Sequence, residues 1–379
     1  MLISAYTHEE QHAMPRLSPL TAPAAPPVEF VFSIPLDLMN AMYFTSLVEQ
    51  SEGIDDWPAQ VRREMDAELL AELDFLFTFP QGNPGLMGTL TDRLLAHPEA
   101  WPDLDALIRF VRNLPLEVGS SPDEVSVQGL AFHMVCTAFR PEQEIRTPSR
   151  DVLVDTLRTS GEDVDVAAVL AVYDQPEELR ARMARLIERF NDEHYRHDLP
   201  RRLPCLERSV AAHRAQRVGD VIELARKLTG RGSSCLETVC TGPYTKYVFV
   251  PSLDMGPYVS CADIPPLHGL FYPCEPEFMG EQPEQAAATR RIARVYKALS
   301  DEHRLHILRL LREREMYAQE IVERTGLHQS VVSRHLSFMA AVGLLQARRH
   351  NNMKFFSLNP AMRDELAGAL ELFLPAEGS

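Results

Sequence analysis

The sequence has no apolar run approaching the roughly 18 to 20 residues that a membrane-spanning helix requires, so no membrane partner is expected. The N-terminus also lacks the basic start and apolar core of a secretory signal. Six cysteines in 379 residues are too few for a disulfide framework, and they fit a reducing compartment. We therefore expect a cytoplasmic protein.

Common catalytic signatures are absent as well. The chain contains no G-x-S-x-G, no P-loop, no H-E-x-x-H and no G-x-G-x-x-G after a predicted strand. The densest carboxylates, Glu64, Asp66, Glu68, Glu72 and Asp74, are spaced so that a helix scatters them around its surface. This spacing favours a solvated helix face over a catalytic site. We expect no enzymatic activity and no cofactor.

Charge is distributed unevenly along the chain. From Gln285 to the C-terminus 14 basic residues outnumber 10 acidic ones, whereas upstream 44 acidic residues outnumber 24 basic ones. Such asymmetry between halves indicates different partners for each half. The acidic part would repel nucleic acid, which confines any contact with DNA to the C-terminal part.

Composition and periodicity predict a mainly α protein of the α+β type. Residues 1–27 form an Ala/Pro-rich tail expected to be disordered, and 28–232 a mostly helical sensing or interaction domain. Residues 233–278 are predicted to form a small β-rich or irregular subdomain, 279–287 a linker, and 288–379 a separate C-terminal domain.

Individual elements of the N-terminal domain can be placed from local patterns. VEFVFSIP is predicted to be a strand and LDLMNAMYFTSLV a helix. A further helix begins at residues 56–58, and its apolar stripe consists of Val61, Met65, Leu69, Leu73 and Leu76. CLETVCT and KYVFVPS are predicted strands of the β-rich segment.

The C-terminal domain shows the order of a winged helix-turn-helix. Helices are predicted for the segment from Thr289, for DEHRLHILRLLRERE, for YAQEIVERTG and for HQSVVSRHLSFMAAVG. LLQARRH and MKFFSL form a hairpin around Asn351-Asn352, and AMRDELAGALELFL is a closing amphipathic helix. A helix, a short turn with glycine, a second helix and a hairpin are typical of DNA-binding winged helices.

The second helix of that pair has an unusual polar face. At 100° per residue, five polar residues fall within an arc of about 140°, while Val332, Leu336 and Met339 fill the opposite side. Small hydrogen-bonding side chains and arginine suit base edges and phosphates, and no acidic residue occurs between Gly326 and Arg363. The predicted DNA contacts are Gln329, Ser330, Ser333, Arg334 and Ser337 on the helix, with Arg348, Arg349, His350 and Lys354 on the wing.

The segment from KALSDEHRLHIL to NNMKFFSL resembles the ArsR/SmtB family of winged-helix repressors. The landmarks include Asp301 and Arg304, the SVVSRHL run, Gly343-Leu344 and the FSL of the wing. The resemblance covers roughly residues 288–375 and implies a homodimer that binds a palindromic double-stranded operator. It also implies a two-fold seam between the first and last helices. The seam residues would be Ile292, Val295, Tyr296 and Leu299, with Met362, Leu366, Leu370 and Phe373.

The metal sites of that family are missing from this chain. Met316-Tyr317-Ala318-Gln319 stands where metal sensors carry Cys-x-Cys, and residues 361–374 contain no histidine. We therefore expect no metal, and a regulator whose N-terminal domain senses a non-metal small-molecule effector or a protein partner.

Two alternatives remain open. The first is a metal- or thiol-responsive regulator, or a metalloenzyme fused to a regulator, that uses upstream Cys and His residues. Its candidates are Cys235, Cys240, Cys261 and Cys274, or His194, His197 and Cys205; His303 and His306 form a weaker pair. The second is a winged helix that serves as a protein-interaction module.

Overall fold

The computed structural model describes residues 27–78, 85–117, 126–139, 149–159, 166–214, 220–229, 244–274, 283–350 and 353–373. These residues form an N-terminal module of helices around a four-stranded sheet and a C-terminal winged helix. The mainly α fold class predicted from the sequence is confirmed. Within the described residues no helix is long and apolar enough to cross a membrane.

The N-terminal module begins with a short strand and continues with helices that pack around a central one. The elements are β1 (Val28–Phe30), α1 (Ile34–Leu47), α2 (Asp56–Glu64), α3 (Ala67–Thr78), α4 (Gly85–Ala96), α5 (Leu104–Arg112), α6 (Val127–Phe139), α7 (Arg150–Thr159), α8 (Val166–Asp174), α9 (Pro176–Phe190), α10 (Arg196–Arg214) and α11 (Val221–Thr229). A 3₁₀ turn occupies Pro98–Ala100, and a π-helical turn at Asn191–Tyr195 joins α9 to α10.

Helix α1 is the centre of this module. Ser33 caps its N-terminus by accepting a hydrogen bond from the backbone N–H of Leu36. The helix is apolar on nearly all sides and is buried along most of its length, as expected for a core helix. Of its buried polar residues, Asp37 accepts a hydrogen bond from Tyr195, whereas the side-chain nitrogen of Asn40 has no hydrogen-bond partner among the described residues.

The apolar stripe predicted from Val61 to Leu76 is buried throughout, but it does not lie on one helix. Helix α2 ends at Glu64 and α3 begins at Ala67. The carboxylate of Asp66 accepts hydrogen bonds from the backbone N–H groups of Glu68 and Leu69, so it starts a new helix. The predicted continuous helix is wrong because this capping interaction competes with helix continuation.

The sheet contains β1, β2 (Lys246–Ser252), β4 (Leu267–Pro273) and β3 (Ser260–Ile264), in that order. β1 and β4 pair with β2 in parallel, and β3 pairs with β4 antiparallel. Tyr247 and Phe249 pack with α10 and α11, while Val248 and Val250 join the main helical core. Because β1 comes from residue 28, the sheet spans the predicted boundary at residues 232–233. The predicted strand CLETVCT lies outside the described residues.

The C-terminal module consists of α12 (Pro283–Leu299), α13 (Glu302–Leu311), β5 (Met316–Tyr317), α14 (Ala318–Thr325), α15 (Gln329–Ala341), β6 (Leu345–His350), β7 (Met353–Leu358) and α16 (Ala361–Phe373). Asp301 caps α13 through the backbone N–H of Arg304, and Gly326 and Gly343 follow α14 and α15 at positive φ. The predicted winged-helix order is confirmed. The sequence did not reveal β5, whose two residues pair with β7 and complete a three-stranded wing.

Candidate nucleic-acid interface

The polar face predicted on the second helix of the pair is present on α15. The side chains of Gln329, Ser330, Ser333, Arg334 and Ser337 are all exposed. None of the described residues forms an ion pair with Arg334, so its guanidinium keeps its hydrogen-bond donors available. The face therefore offers one cation and several small donors and acceptors on a single helical surface.

The opposite side of α15 is fixed in the core of the winged helix. Val332, Leu336 and Met339 are buried, as predicted, and Phe338 is buried beside them. Each buried side chain of this size contributes about 1.5 to 3 kcal/mol to stability. The polar face thus belongs to a helix whose rotation about its own axis is set by packing.

Two histidines shape this helix without belonging to the predicted contacts. The ring of His328 caps the N-terminus, where Nδ1 accepts a hydrogen bond from the backbone N–H of Ser330 at 3.3 Å. His335 is buried, and burial lowers the pKa of its imidazole. Both ring nitrogens of His335 lack a hydrogen bond. Its position within the core supports a packing role.

The wing presents basic residues, and one of them is already paired. Arg348 forms a bidentate ion pair with Glu315 and lies over the ring of Phe355. Lys354 is exposed and lies 5.4 Å from the centre of the Phe356 ring. Arg349 and His350 occupy the last two positions of β6, opposite Lys354 and Met353. A phosphate would have to compete with Glu315 for Arg348, an interaction that sequence reasoning missed.

The protein-family model described as "Bacterial regulatory protein, arsR family" matches residues 301–347, from the cap of α13 into β6. That range contains the polar face and its buried anchors. The C-terminal module is an ArsR-type winged helix-turn-helix. The family model that it matches describes bacterial regulatory proteins.

Two curated relatives match this ArsR-type module. HTH-type transcriptional regulator Rv0324 of Mycobacterium tuberculosis is 33% identical over 79 residues, which are 21% of this chain and 35% of the relative. Transcriptional activator HlyU of Vibrio cholerae is 35% identical over 63 residues, which are 17% of this chain and 58% of the relative. The chain thus spans less than two thirds of the length of either relative.

Solved structures match the same module. HlyU from Vibrio cholerae is 27% identical, with 23% of this chain and 94% of that chain covered and a TM-score of 0.20. A homodimeric winged helix-turn-helix fragment from Mycobacterium bovis is 29% identical, with 25% and 87% covered and a TM-score of 0.22.

The predicted seam residues of the ArsR-type module have unequal exposure in the single chain. Ile292, Val295 and Met362 are buried within it, while Tyr296 is 38% exposed. Leu299 and Leu366 are half-buried, and Leu370 and Phe373 lie on the last two turns of α16. Arg291 pairs with Glu365 and links α12 to α16. The seam stays a prediction, and Tyr296 is the most accessible of its members whose side chains the structure describes.

Only some of the upstream candidates for a metal or thiol site lie within the described residues. No three His, Cys, Asp or Glu side chains among the described residues form a metal-binding group. Cys205 and Cys274 are buried side by side, whereas His197 is exposed and bonds to the backbone of Asp192. Cys261 is disulfide-bonded. Cys235 and Cys240 lie outside the described residues.

The structure reveals what faces the polar side of α15. Ser330, Ser333, Arg334 and Ser337 form one wall of a cleft of about 800 Å³ between the two modules. The opposite wall belongs to the N-terminal module and consists of the end of α1, the following loop, the end of α3, the two residues before β3 and the first residue of β3. These residues are Tyr43, Phe44, Leu47, Glu49, Gln50, Ser51, Thr78, Tyr258, Val259 and Ser260. Sequence patterns carried no signal for this juxtaposition.

Proposed function

We propose that this protein is a homodimeric, cytoplasmic transcriptional repressor whose ArsR-type module binds a palindromic operator. The observation that carries the proposal is the exposed, acid-free polar face of α15 on a helix anchored by Val332 and Leu336. The nine predicted DNA contacts on α15 and the wing keep their assigned roles in this proposal. Homodimerisation is supported by the related fragment from Mycobacterium bovis, which is described as homodimeric.

The N-terminal module is assigned a sensing role for a non-metal small molecule or a protein partner. The cleft between the modules supports this assignment because both modules line it. Its wall combines aromatic rings such as Tyr43 and Tyr258 with hydroxyl groups and the guanidinium of Arg334. Pockets with mixed apolar walls and a few polar groups are typical of small-molecule sites. The proposal assigns no catalytic step to either module.

Binding of the full chain to duplex DNA from upstream of its own gene tests the proposal. Fluorescence anisotropy at several salt concentrations should give an affinity that falls steeply with salt, because neutralising phosphates releases counterions. Light scattering should give the mass of a dimer. An affinity that is equal for all sequences and for single-stranded DNA would contradict an operator-binding function.

A thiol-responsive regulator is the second candidate, and one observation favours it. The disulfide-bonded Cys261 directly follows Ser260, which lines the cleft next to the recognition helix. A dithiol reductant would convert the disulfide to two thiols while it becomes oxidised itself. Operator affinity should then differ between reduced and oxidised protein, and Cys261→Ser should abolish the difference. Equal affinities in both states would eliminate this candidate.

A further inference from the structure

We propose that the arrangement seen here is a closed state, in which the N-terminal module covers the DNA-binding face of α15 and prevents operator binding. The inference rests on the proposed function of α15. It assigns the loop after α1, residues 48–55, as the segment that holds the face closed. The partner of the recognition helix in this state is therefore the protein's own N-terminal module.

The first support is the closeness of the backbone of that loop to α15. Gly53 has φ +82°, and a Cβ atom there would lie 2.8 Å from Cε2 of Phe338. Gly256, on the turn after β2, packs against the carbonyl of Gly53. The hydroxyl of Tyr258 donates to the backbone carbonyl of Glu52 at 2.7 Å. The loop therefore fits between the recognition helix and the turn.

The second support is two ion pairs that connect the winged helix with the N-terminal module. Arg304, whose side chain is 4% exposed, donates to Glu52 at 2.9 Å. The same guanidinium donates to the backbone carbonyls of Lys297 and Ala298, so its position does not depend on Glu52. Two hydrogen bonds within the winged helix thus hold the side chain of Arg304 in the position where it pairs with Glu52 of the loop.

The other ion pair joins Asp55 to Arg294 of α12, with 2.6 Å between the charged atoms. The second oxygen of Asp55 accepts a hydrogen bond from the backbone N–H of Gly256 at 2.8 Å. Asp55 therefore ties α12 to both the loop and the turn after β2. Partly buried charge pairs of this kind specify how two surfaces dock as well as stabilising them.

The third support is the size of the remaining space. The major groove that would receive α15 is about 12 Å wide and about 8.5 Å deep, with phosphates on both edges. A helix of 13 residues, about 20 Å long, would have to be flanked by both phosphate-bearing strands of the duplex, and a cleft of about 800 Å³ is too small to hold them. The N-terminal module therefore occupies space that the duplex would need. DNA and the N-terminal module must compete for the same face.

The charge of the module adds to this exclusion. The residues that line the cleft with Arg334 include Glu49, and Glu52 directly follows the lining residues Gln50 and Ser51 in the chain. A phosphate backbone brought to this cleft would meet carboxylates of an acidic module, which raises the cost of binding in the closed state. Opening the contact removes both the steric and the electrostatic obstacle.

The double variant Glu52→Gln/Asp55→Asn of the full chain tests the proposal, because it removes both ion pairs and leaves every predicted DNA contact in place. We expect its affinity for operator DNA to rise about tenfold, the combined effect of two weakened pairs of this type. Small-angle X-ray scattering should show a larger maximum dimension for the variant than for the wild type. Its melting temperature reports whether the N-terminal module still folds.

The matched control is Asp174→Asn/Glu178→Gln, which removes the same charge from two exposed ion pairs with Arg150 and Arg185, remote from the cleft. Its affinity should equal that of the wild type. If the wild type, the test variant and the control bind operator equally, the closed state is refuted while the proposed function stands. If no form binds duplex DNA, including the variant shown by scattering to be open, the proposed function itself fails.

Discussion

The two modules of this protein differ in what their cores contain. The winged helix is held by apolar side chains such as Val295, Ile307 and Leu336, with Arg304 and His335 at the side that faces the N-terminal module. The N-terminal core encloses charges, and the largest of its fully buried side chains is Arg202. Periodicity in the local sequence predicts which residues form an apolar core. A buried charge instead requires specific partners, which can be distant in the sequence.

The partners of Arg202 come from separate parts of the chain. Its guanidinium donates to Asp254 at 2.8 Å and lies 3.3 Å from Asp37 of α1. Tyr195 donates to Asp37 and, like Trp57, stacks beside the guanidinium. Burial raises the pKa of both carboxyl groups, and Arg202 opposes that effect. The network joins α1, the π-helical turn, α10 and the turn after β2.

The largest expected effect tests how much the buried charges stabilise the N-terminal core. Arg202→Met leaves Asp37 and Asp254 buried without their cation, so we expect a loss of about 3 to 5 kcal/mol in the unfolding free energy of the N-terminal module. Urea denaturation would measure it. The neighbouring Arg201→Met, which breaks a more exposed pair with Asp198, should cost less than about 1 kcal/mol. If both variants lost the same unfolding free energy, the buried network would stabilise the module no more than an exposed ion pair does.

The second-largest effect tests whether Arg334 contributes to operator binding without contributing to the folding of the winged helix. Arg334→Ala should weaken operator binding by about 1 to 3 kcal/mol, because one bidentate contact to a base or phosphate is lost. The unfolding free energy should change by less than about 0.5 kcal/mol, since the buried side of α15 is untouched. Anisotropy and urea denaturation measure the two quantities.

The control for this prediction is Arg309→Ala, which removes an exposed arginine of α13. It should change both quantities little. If Arg334→Ala and Arg309→Ala lower operator affinity equally, arginine acts only through net charge, and the assigned position of the recognition face is wrong.

The smallest effect concerns pH and the N-terminal module alone. Burial and the nearby Asp263 raise the pKa of Asp92 to about 7. The folded state therefore binds a proton that the unfolded state releases above its ordinary pKa of 3.8, and stability falls as the pH rises towards 7. Asp92→Asn should remove this loss and stabilise the protein by about 1 to 2 kcal/mol at pH 8.

Thermal unfolding of the wild type and of Asp92→Asn at pH 5 and pH 8 would test this. The advantage of the variant should be smaller at pH 5, where the carboxyl group of the folded wild type is protonated. A difference between the two proteins that is the same at both pH values would contradict the raised pKa.

Much of the winged helix could be predicted from sequence because its order depends on local signals. Asp301, Gly326 and Gly343 mark helix ends through side-chain capping and positive φ, and the turn residues Asn351-Asn352 mark the start of the strand MKFFSL. Helix α15 was placed with its polar and apolar sides correctly assigned. The two-residue β5 was missed because so short a strand carries no periodicity of its own.

The N-terminal module was predictable in type but not in arrangement. Its helices follow from apolar spacing, yet a capping carboxylate at Asp66 divides what spacing alone presents as one helix. The pairing of Val28 with Tyr247 joins segments more than 200 residues apart. No local pattern encodes such a pairing, because strand partners are selected by packing of the whole sheet.

The sequence by itself determined the winged helix and the polar face of α15, since both depend on residues within a few helical turns of one another. The tertiary structure alone decided what that face meets. Periodicity identifies the side of a helix that packs, but it carries no information about a distant loop that approaches the exposed side. The contact of Gly53 with Phe338 and the pairing of Glu52 with Arg304 bring together positions far apart in the chain. They exist only because the N-terminal module is folded beside the winged helix.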